Sequence, residues 1–377
     1  MGDFGVELAR LRARRGLTVR QLARRAGVSE GQISNLESGR RNPTSSVAAA
    51  CDAALGADGG LIRLTETARR GTADRSLVEV EVEPLVVGYG RILEQLRDIG
   101  RSTGPRFVDA ALRSTTRVLT EAAPRAEARS RQEVWLLASR FAEYTGWMAQ
   151  EAGNPAEALR WTDLAVRWGA NGGDETIAAY ALVRKASIAE HRGDPTAVLL
   201  AGRAAVHPAA TPLIRAHAAR REAQGHAYLG DHGACRDALQ RSRDYAREAD
   251  RPGVRWGPRI ENGSPLLIEA SCLIGLRQFE QAADLFADEL RHRPELPPDT
   301  NSRTRFEIRQ ASALAGIDRL DRACHLVEAL LPTIRTLDSA TIRTDLGRFA
   351  DHTRGRAATP GQRSLIETAA ALAHGRG

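Results

Sequence analysis

The chain has 377 residues, a formal net charge of +7, and 42% hydrophobic against 27% charged residues, which is enough apolar material for two or more packed cores and argues against long disorder. It contains no run of about 18 apolar residues and no charged segment leading into an apolar one at its start, so the expectation is a soluble, cytoplasmic protein with no membrane partner. Its four cysteines, Cys51, Cys235, Cys272 and Cys324, are far apart and form no CxxC pair, a pattern of buried thiols rather than of metal or disulfide chemistry. Between Met1 and Arg70 stand 12 arginines and 7 acidic residues, so most of the positive excess is local to the start of the chain and points to a polyanionic partner there.

In chain order, Phe4, Leu8 and Leu11 lie on one face of an opening helix that Gly16 stops, with Arg10, Arg12, Arg14 and Arg15 on the remainder. Thr18 caps a second helix carrying Val19, Leu22, Ala23 and Ala26, Gly27 turns the chain, and Val28 plugs the turn. Ser29 caps a third helix from Glu30 to Ser38, with Ile33 and Leu36 inward and Glu30, Gly31, Gln32, Ser34 and Asn35 outward. Such an outward set of amides and hydroxyls is the inventory that pairs with base edges in a major groove, although the same residues also make ordinary solvated surfaces. Thr44 or Ser45 opens a fourth helix with Val47, Ala50 and Ala54 inward, and Leu61 to Arg70 supplies a fifth.

The stretch QLARRAGVSEGQISNLESGRRNP resembles the helix-turn-helix of the lambda-repressor-like family, also called the Cro/C1 or xenobiotic-response-element type. Gln21-Leu22-Ala23, Gly27-Val28-Ser29, Ile33-Ser34, Leu36-Glu37 and Gly39-Arg40-Arg41-Asn42-Pro43 carry that likeness, which spans about the first 65 to 70 residues. The resemblance implies that the third helix enters the major groove of a double-stranded DNA operator. Glu30, Gly31, Ser34 and Asn35 would then face bases and Gln32, Arg40 and Arg41 would meet phosphates, with Thr18, Gln21 and Ser29 completing the DNA-facing set. It also implies an architectural ion pair between Arg12 and Glu37. Many relatives carry glutamine near the positions of Glu30 and Gly31, so the operator sequence does not carry over.

Residues 71–83 read as a linker that takes in most of the one β-favouring run, Leu77 to Val87, which Pro84 interrupts. Residues 84–126 read as connecting helices. From Glu127 the sequence repeats imperfectly. Glu151-Ala-Gly-Asn-Pro aligns with His191-Arg-Gly-Asp-Pro and Tyr228-Leu-Gly-Asp, with fainter copies at Gly275-Leu-Arg-Gln-Phe and Gly316-Ile-Asp-Arg-Leu. Each copy is a helix, a turn and a second helix with an early alanine, a unit that hides its apolar face only by stacking on its neighbours. The pattern resembles tetratricopeptide repeats over 127–338, with capping helices in 339–377. The expected fold class is therefore all-α: a five-helix lambda-repressor-like domain at 1–70 followed by a helical-hairpin solenoid.

The concave face of such a solenoid suits a peptide or small-molecule effector, and the first helices of the repeats offer Tyr144, Trp147, Gln150, Tyr180, Arg184, Arg220, Gln224 and Tyr228, with Trp256 and Asn262 on a loop. Aromatics at these places also serve inter-helix packing, so the expectation attaches to the set. No GxxxxGK, strand-borne GxGxxG, HExxH or GxSxG motif is present, and the histidines share no ligand spacing, so no enzyme, cofactor or metal is expected. A repeat-fused regulator of this architecture implies sequence-specific control of transcription by a homodimer in a bacterial cytoplasm. The alternative is a regulator or adaptor whose solenoid binds a partner protein.

Overall fold

The computed structural model describes residues 3–65, 82–200, 202–249, 265–292 and 300–375. All regular elements among them are helical, and the chain divides into two units, Met1–Val80 and Glu81–Gly377. The β-favouring run lies outside the described residues up to Glu81. From Val82 the chain is helical, with Pro84 in the first turn, where a missing N–H forfeits no helical bond.

The first unit holds α1 (Asp3–Arg14), α2 (Val19–Ala26), α3 (Glu30–Glu37), α4 (Ser45–Leu55) and α5 (residues 60–65). Phe4, Leu8, Leu22, Ile33, Leu36, Leu55 and Leu61 form its core. Thr18 Oγ1 accepts from the Gln21 amide while Gln21 Oε1 accepts from the Thr18 amide, a reciprocal cap of the kind that contributes about 1 kcal/mol. Gly27, at φ 65°, then turns the chain in the left-handed region, and Ser29 caps α3 by accepting from the Gln32 amide at 3.2 Å. The rest of the fifth helix expected up to Arg70 lies outside the described residues.

The inward register of α4 differs from the expectation. Ala48, Cys51 and Leu55 are buried, while Val47, Ala50 and Ala54 are half-buried at the edges. The reason is Asp52, which is 6% exposed and accepts from the amides of Gly59 and Leu61, each at 2.8 Å. Its carboxylate satisfies the open N–H groups at the start of α5, so α4 is rotated to bring it inward.

The second unit begins with α6 (Val82–Thr103), a short 3-10 turn and α7 (Asp109–Ala122), which pack with α8 (Ala128–Glu151) around Leu93, Leu112, Leu119 and Phe141. There follow α9 (Pro155–Asn171), α10 (Thr176–His191), α11 (Pro195–Leu199), α12 (Gly202–Ala205), α13 (Pro212–Tyr228), α14 (His232–Glu248), α15 (Pro265–Gly275) and α16 (Phe279–Arg291). The unit ends with α17 (Asn301–Gly316), α18 (Leu320–Leu337), α19 (Ala340–Thr353) and α20 (Pro360–Ala373). Helices pair as α8/α9, α13/α14, α15/α16, α17/α18 and α19/α20, and successive pairs stack into a solenoid with its core running from hairpin to hairpin. In the α10 repeat the second helix is broken into the short α11 and α12.

The aligned turns explain themselves locally. In the first three copies Gly153, Gly193 and Gly230 take φ of 80°, 72° and 76°, and the next residue, Asn154, Asp194 or Asp231, caps the following helix. In the fainter copies Arg277 and Asp318, both at φ 60°, hold the glycine's place, and no side-chain cap follows. Among the described residues, no helix is long and apolar enough to cross a membrane.

The solenoid curves far enough for its ends to meet. α6 touches α17 and α18, and α8 touches α19. At the seam Gly104, at φ 85°, lies against the Leu337 carbonyl, where a Cβ would come within 2.1 Å of the oxygen. Gly104→Ala is therefore expected to lower the stability of the solenoid by about 2–4 kcal/mol, through backbone strain and a clash with backbone together. Gly173→Ala, at φ 80° with open space around it, pays only the strain, about 1 kcal/mol. Urea unfolding of the two variants, followed by helical circular dichroism, measures the difference.

Candidate functional site

The polar face of α3 is the feature of the first unit that its core does not use. Ile33 and Leu36 are buried, Glu30, Gly31 and Ser34 are exposed, and Gln32 and Asn35 are half-buried. The side chains of Gln32, Ser34 and Asn35 make no hydrogen bond to the described residues, which leaves two amides and a hydroxyl for an outside partner. Arg40 and Arg41 stand exposed just beyond, and the Arg41 amide donates to the Asn35 carbonyl at 3.1 Å. Thr18, Gln21 and Ser29 are exposed as well, with their side chains engaged in capping.

Two features hold α3 in place. Arg12 donates from Nε and Nη2 to both Glu37 oxygens at 2.6 and 2.8 Å, and its Nη1 donates to the Leu17 carbonyl at 2.9 Å. That bidentate, partly buried pair raises the Arg12 pKa through the bond to Glu37 and ties α1, the loop before α2 and the end of α3 together. Gly5 permits the close approach of α1, since a Cβ there would fall 2.3 Å from the Leu36 carbonyl oxygen. By contrast, Arg20 and Glu30 face each other at 3.4 Å with 86% and 58% of their side chains exposed, a contact that constrains little.

Residues 3–65 match the protein-family profile described as a helix-turn-helix domain. The first unit is a helix-turn-helix domain. Its partner class is accordingly DNA. No curated protein and no solved structure matches the chain.

The helix-turn-helix profile ends before the solenoid, where a second candidate site stands. A cavity of about 870 Å³, counting the solvent at its mouth, lies where α6, α8, α13, α15 and α17 face one another. Tyr144, Trp147 and Met148 of α8 and Phe306 of α17 give it an apolar side; Arg221, Arg305 and Arg309 give it a cationic one. The Tyr144 hydroxyl donates to the Arg97 carbonyl at 3.3 Å, and burial holds it well above the usual phenol range.

Behind the arginines lies a buried charge network. Glu190 accepts from Arg221 at 2.8 Å, from the Tyr228 hydroxyl at 3.0 Å and from Arg309 at 3.4 Å. Asp345 accepts from Arg305 at 3.0 Å, from Arg309 at 3.2 Å and from Arg348 at 3.4 Å. Burial alone would raise both carboxyl pKa values, but the surrounding guanidiniums outweigh it and hold both below the usual carboxylate range. His191 donates from Nδ1 to the Ser187 carbonyl at 2.7 Å and accepts at Nε2 from Arg305 at 3.1 Å, which fixes a neutral ring. Burial, with Arg305 beside it, pushes the His191 pKa down to about 4.

Of the sequence-derived ligand residues, Tyr144 and Trp147 line the cavity. Arg184 stacks on the Trp147 ring, its guanidinium carbon 3.6 Å from the centroid, and Tyr180 belongs to the core behind. Gln150 contacts His191 at 2.8 Å and Arg220 donates to Ser242 at 3.2 Å, both between helices, while Gln224 accepts from Arg221 at 2.9 Å within α13. Tyr228 belongs to the network through Glu190. Trp256 and Asn262 lie outside the described residues. Arg221, Arg305, Arg309 and Glu151 escaped the sequence reading, although the spacing of Arg305 and Arg309 puts them on one face of α17. Among the described residues, no group of three or more His, Cys, Asp and Glu side chains is arranged to hold a metal ion.

The depressed His191 pKa has a direction in stability. As pH falls below about 6.5 the unfolded chain binds a proton there that the folded chain refuses until about pH 4, so stability is lost across that window. Glu190 and Asp345, with lowered pKa values, add their own loss only below the usual carboxylate range, about pH 4. Denaturant unfolding at about pH 7 and about pH 5 should show the wild type losing about 2 kcal/mol more than His191→Gln.

Proposed function

We propose that the chain is a sequence-specific DNA-binding regulator of transcription, of lambda-repressor-like type, that works as a homodimer in the cytoplasm. α3 is the helix that enters the major groove. The observation that carries this is the set of uncommitted polar side chains on α3, Gln32, Ser34 and Asn35, on a helix braced from behind by Arg12 and Glu37. Glu30, Gly31, Ser34 and Asn35 face bases, while Gln32, Arg40 and Arg41 meet phosphates. One such helix reads few base pairs, and two related by a two-fold axis would read half-sites about 34 Å apart.

The solenoid, of tetratricopeptide kind, is the sensing and dimerising half. A ligand that binds one of its conformations better than another would shift the population of DNA-competent dimers. The enclosed cavity favours a small effector over the alternative of a protein partner, because its lining faces inward from five helices.

Fluorescence anisotropy against duplexes from the region upstream of the chain's own gene, with random duplex as competitor, tests this reading. A preference of about a thousandfold for one site supports it, and binding that follows salt while ignoring sequence refutes it. Asn35→Ala is expected to cost about 1–3 kcal/mol on the operator and little on random DNA. Arg40→Ala should weaken both alike and reduce the salt slope by about 1.

A further inference from the structure

The cavity has a polarity that narrows its ligand, and the argument rests on the reading of the solenoid as the sensing half. Three guanidiniums, those of Arg305, Arg309 and Arg348, converge on the single carboxylate of Asp345. Among the described residues the only other carboxylate they reach, Glu190, is shared between Arg309 and Arg221. Arg305 also donates from Nη2 to neutral His191, and its Nη1 makes no bond to the described residues. A guanidinium 17% exposed at a cavity wall, sharing its carboxylate with two others, presents positive charge that the described residues only partly offset.

Elsewhere the lining is apolar and in part aromatic. Trp147 is 5% exposed, and its Nε1, which has no acceptor among the described residues, is itself closed off, so the ring rather than its N–H lines the cavity. Arg184 covers one face of that ring at 3.6 Å. Tyr144 and Phe306 also line the space, which is therefore flanked by flat apolar surfaces. The one acid in the lining, Glu151, is engaged elsewhere: its Oε2 accepts from Asn301 and Thr341, each at 2.7 Å, and from Ser339. Those contacts hold α8 to α17 and α19, and they close the ring against an extended chain lying along the groove.

We propose that the cavity binds a small aromatic carboxylate, its carboxylate held by Arg305 and its ring between the aromatic walls. Charge-assisted bonds to guanidinium supply recognition.

Isothermal titration calorimetry on the full-length protein tests this with phenylacetate, cinnamate and indole-3-acetate, each beside its neutral amide. At least one acid is expected to bind at about 100 µM or tighter, with its amide at least about tenfold weaker. Arg305→Gln should erase that preference. Acid and amide binding alike, or no acid binding below about 1 mM, would overturn the inference, and the wild-type comparison decides this even if a variant fails to fold. Adding the bound acid to the DNA titration separates the two readings. An acid that binds with the expected preference and leaves operator affinity unchanged refutes the sensing role alone. DNA binding that responds to a peptide pool, with no acid bound, refutes the carboxylate assignment alone.

Discussion

Glu190 and Asp345 decide how the solenoid is assembled. Each is a buried carboxylate on a first helix, and each draws guanidiniums from helices distant in sequence: Glu190 takes Arg221 from α13 and Arg309 from α17, and Asp345 takes Arg305 and Arg309 from α17. Removing a charge from water costs several kcal/mol, so a network of this kind is weak evidence of net stability. Its consequence is geometric. Any other curvature would separate these charges while leaving them buried, a cost that apolar contacts between sliding helices would not impose. The network therefore selects one arrangement of α10, α13, α17 and α19, and that arrangement encloses the cavity.

The same pairing of guanidinium with carboxylate has a different weight in the helix-turn-helix domain, and burial makes the difference. Arg12 and Glu37 are 20% and 13% exposed, meet in a two-bond fork and have a backbone carbonyl completing the Arg12 donors. Arg20 and Glu30 are mostly in water, where screening and side-chain entropy cancel most of the attraction. The first pair belongs to the framework that positions α3; the second leaves Glu30 available on its surface.

The sequence disclosed what local chemistry dictates. Caps at Thr18, Ser29, Asn154, Asp194 and Asp231 and the left-handed glycines directly before the last three of them mark helix ends by their own hydrogen bonds, so α2, α3 and the first three repeat turns were legible without tertiary information. The two fainter turns were legible only by alignment, because Arg277 and Asp318 replace the glycine and the cap is lost. The register of α4 was not legible. Helical periodicity offered two neighbouring apolar stripes, and the choice between them was made by Asp52 capping a helix elsewhere in the chain. The cavity lining was legible only in part, since Tyr144 and Trp147 belong to aromatic positions of the repeats while Arg305 and Arg309 gain their meaning from Asp345, 40 and 36 residues further along the chain.

The repeat alignment nevertheless held a clue to the network. Glu151, His191 and Tyr228 occupy one structural position, the last residue of a first helix, and the structure places all three in polar contacts on the inner side of the solenoid. At the same position in the next two copies stand Gly275 and Gly316, where a Cβ would lie 3.1 Å from the Ala227 carbonyl carbon and 2.2 Å from the Phe279 ring. A repeat position thus alternates between two uses that compete for the same space. Early copies spend it on polar groups, and later copies spend it on close approach of neighbouring helices. Close approach tightens the superhelix, and tightening in the later copies is what brings Asn301, Ser339 and Thr341 back to Glu151. The two glycine-ended helices, α15 and α17, both line the cavity, and α17 carries the Arg305 and Arg309 that pair with Asp345.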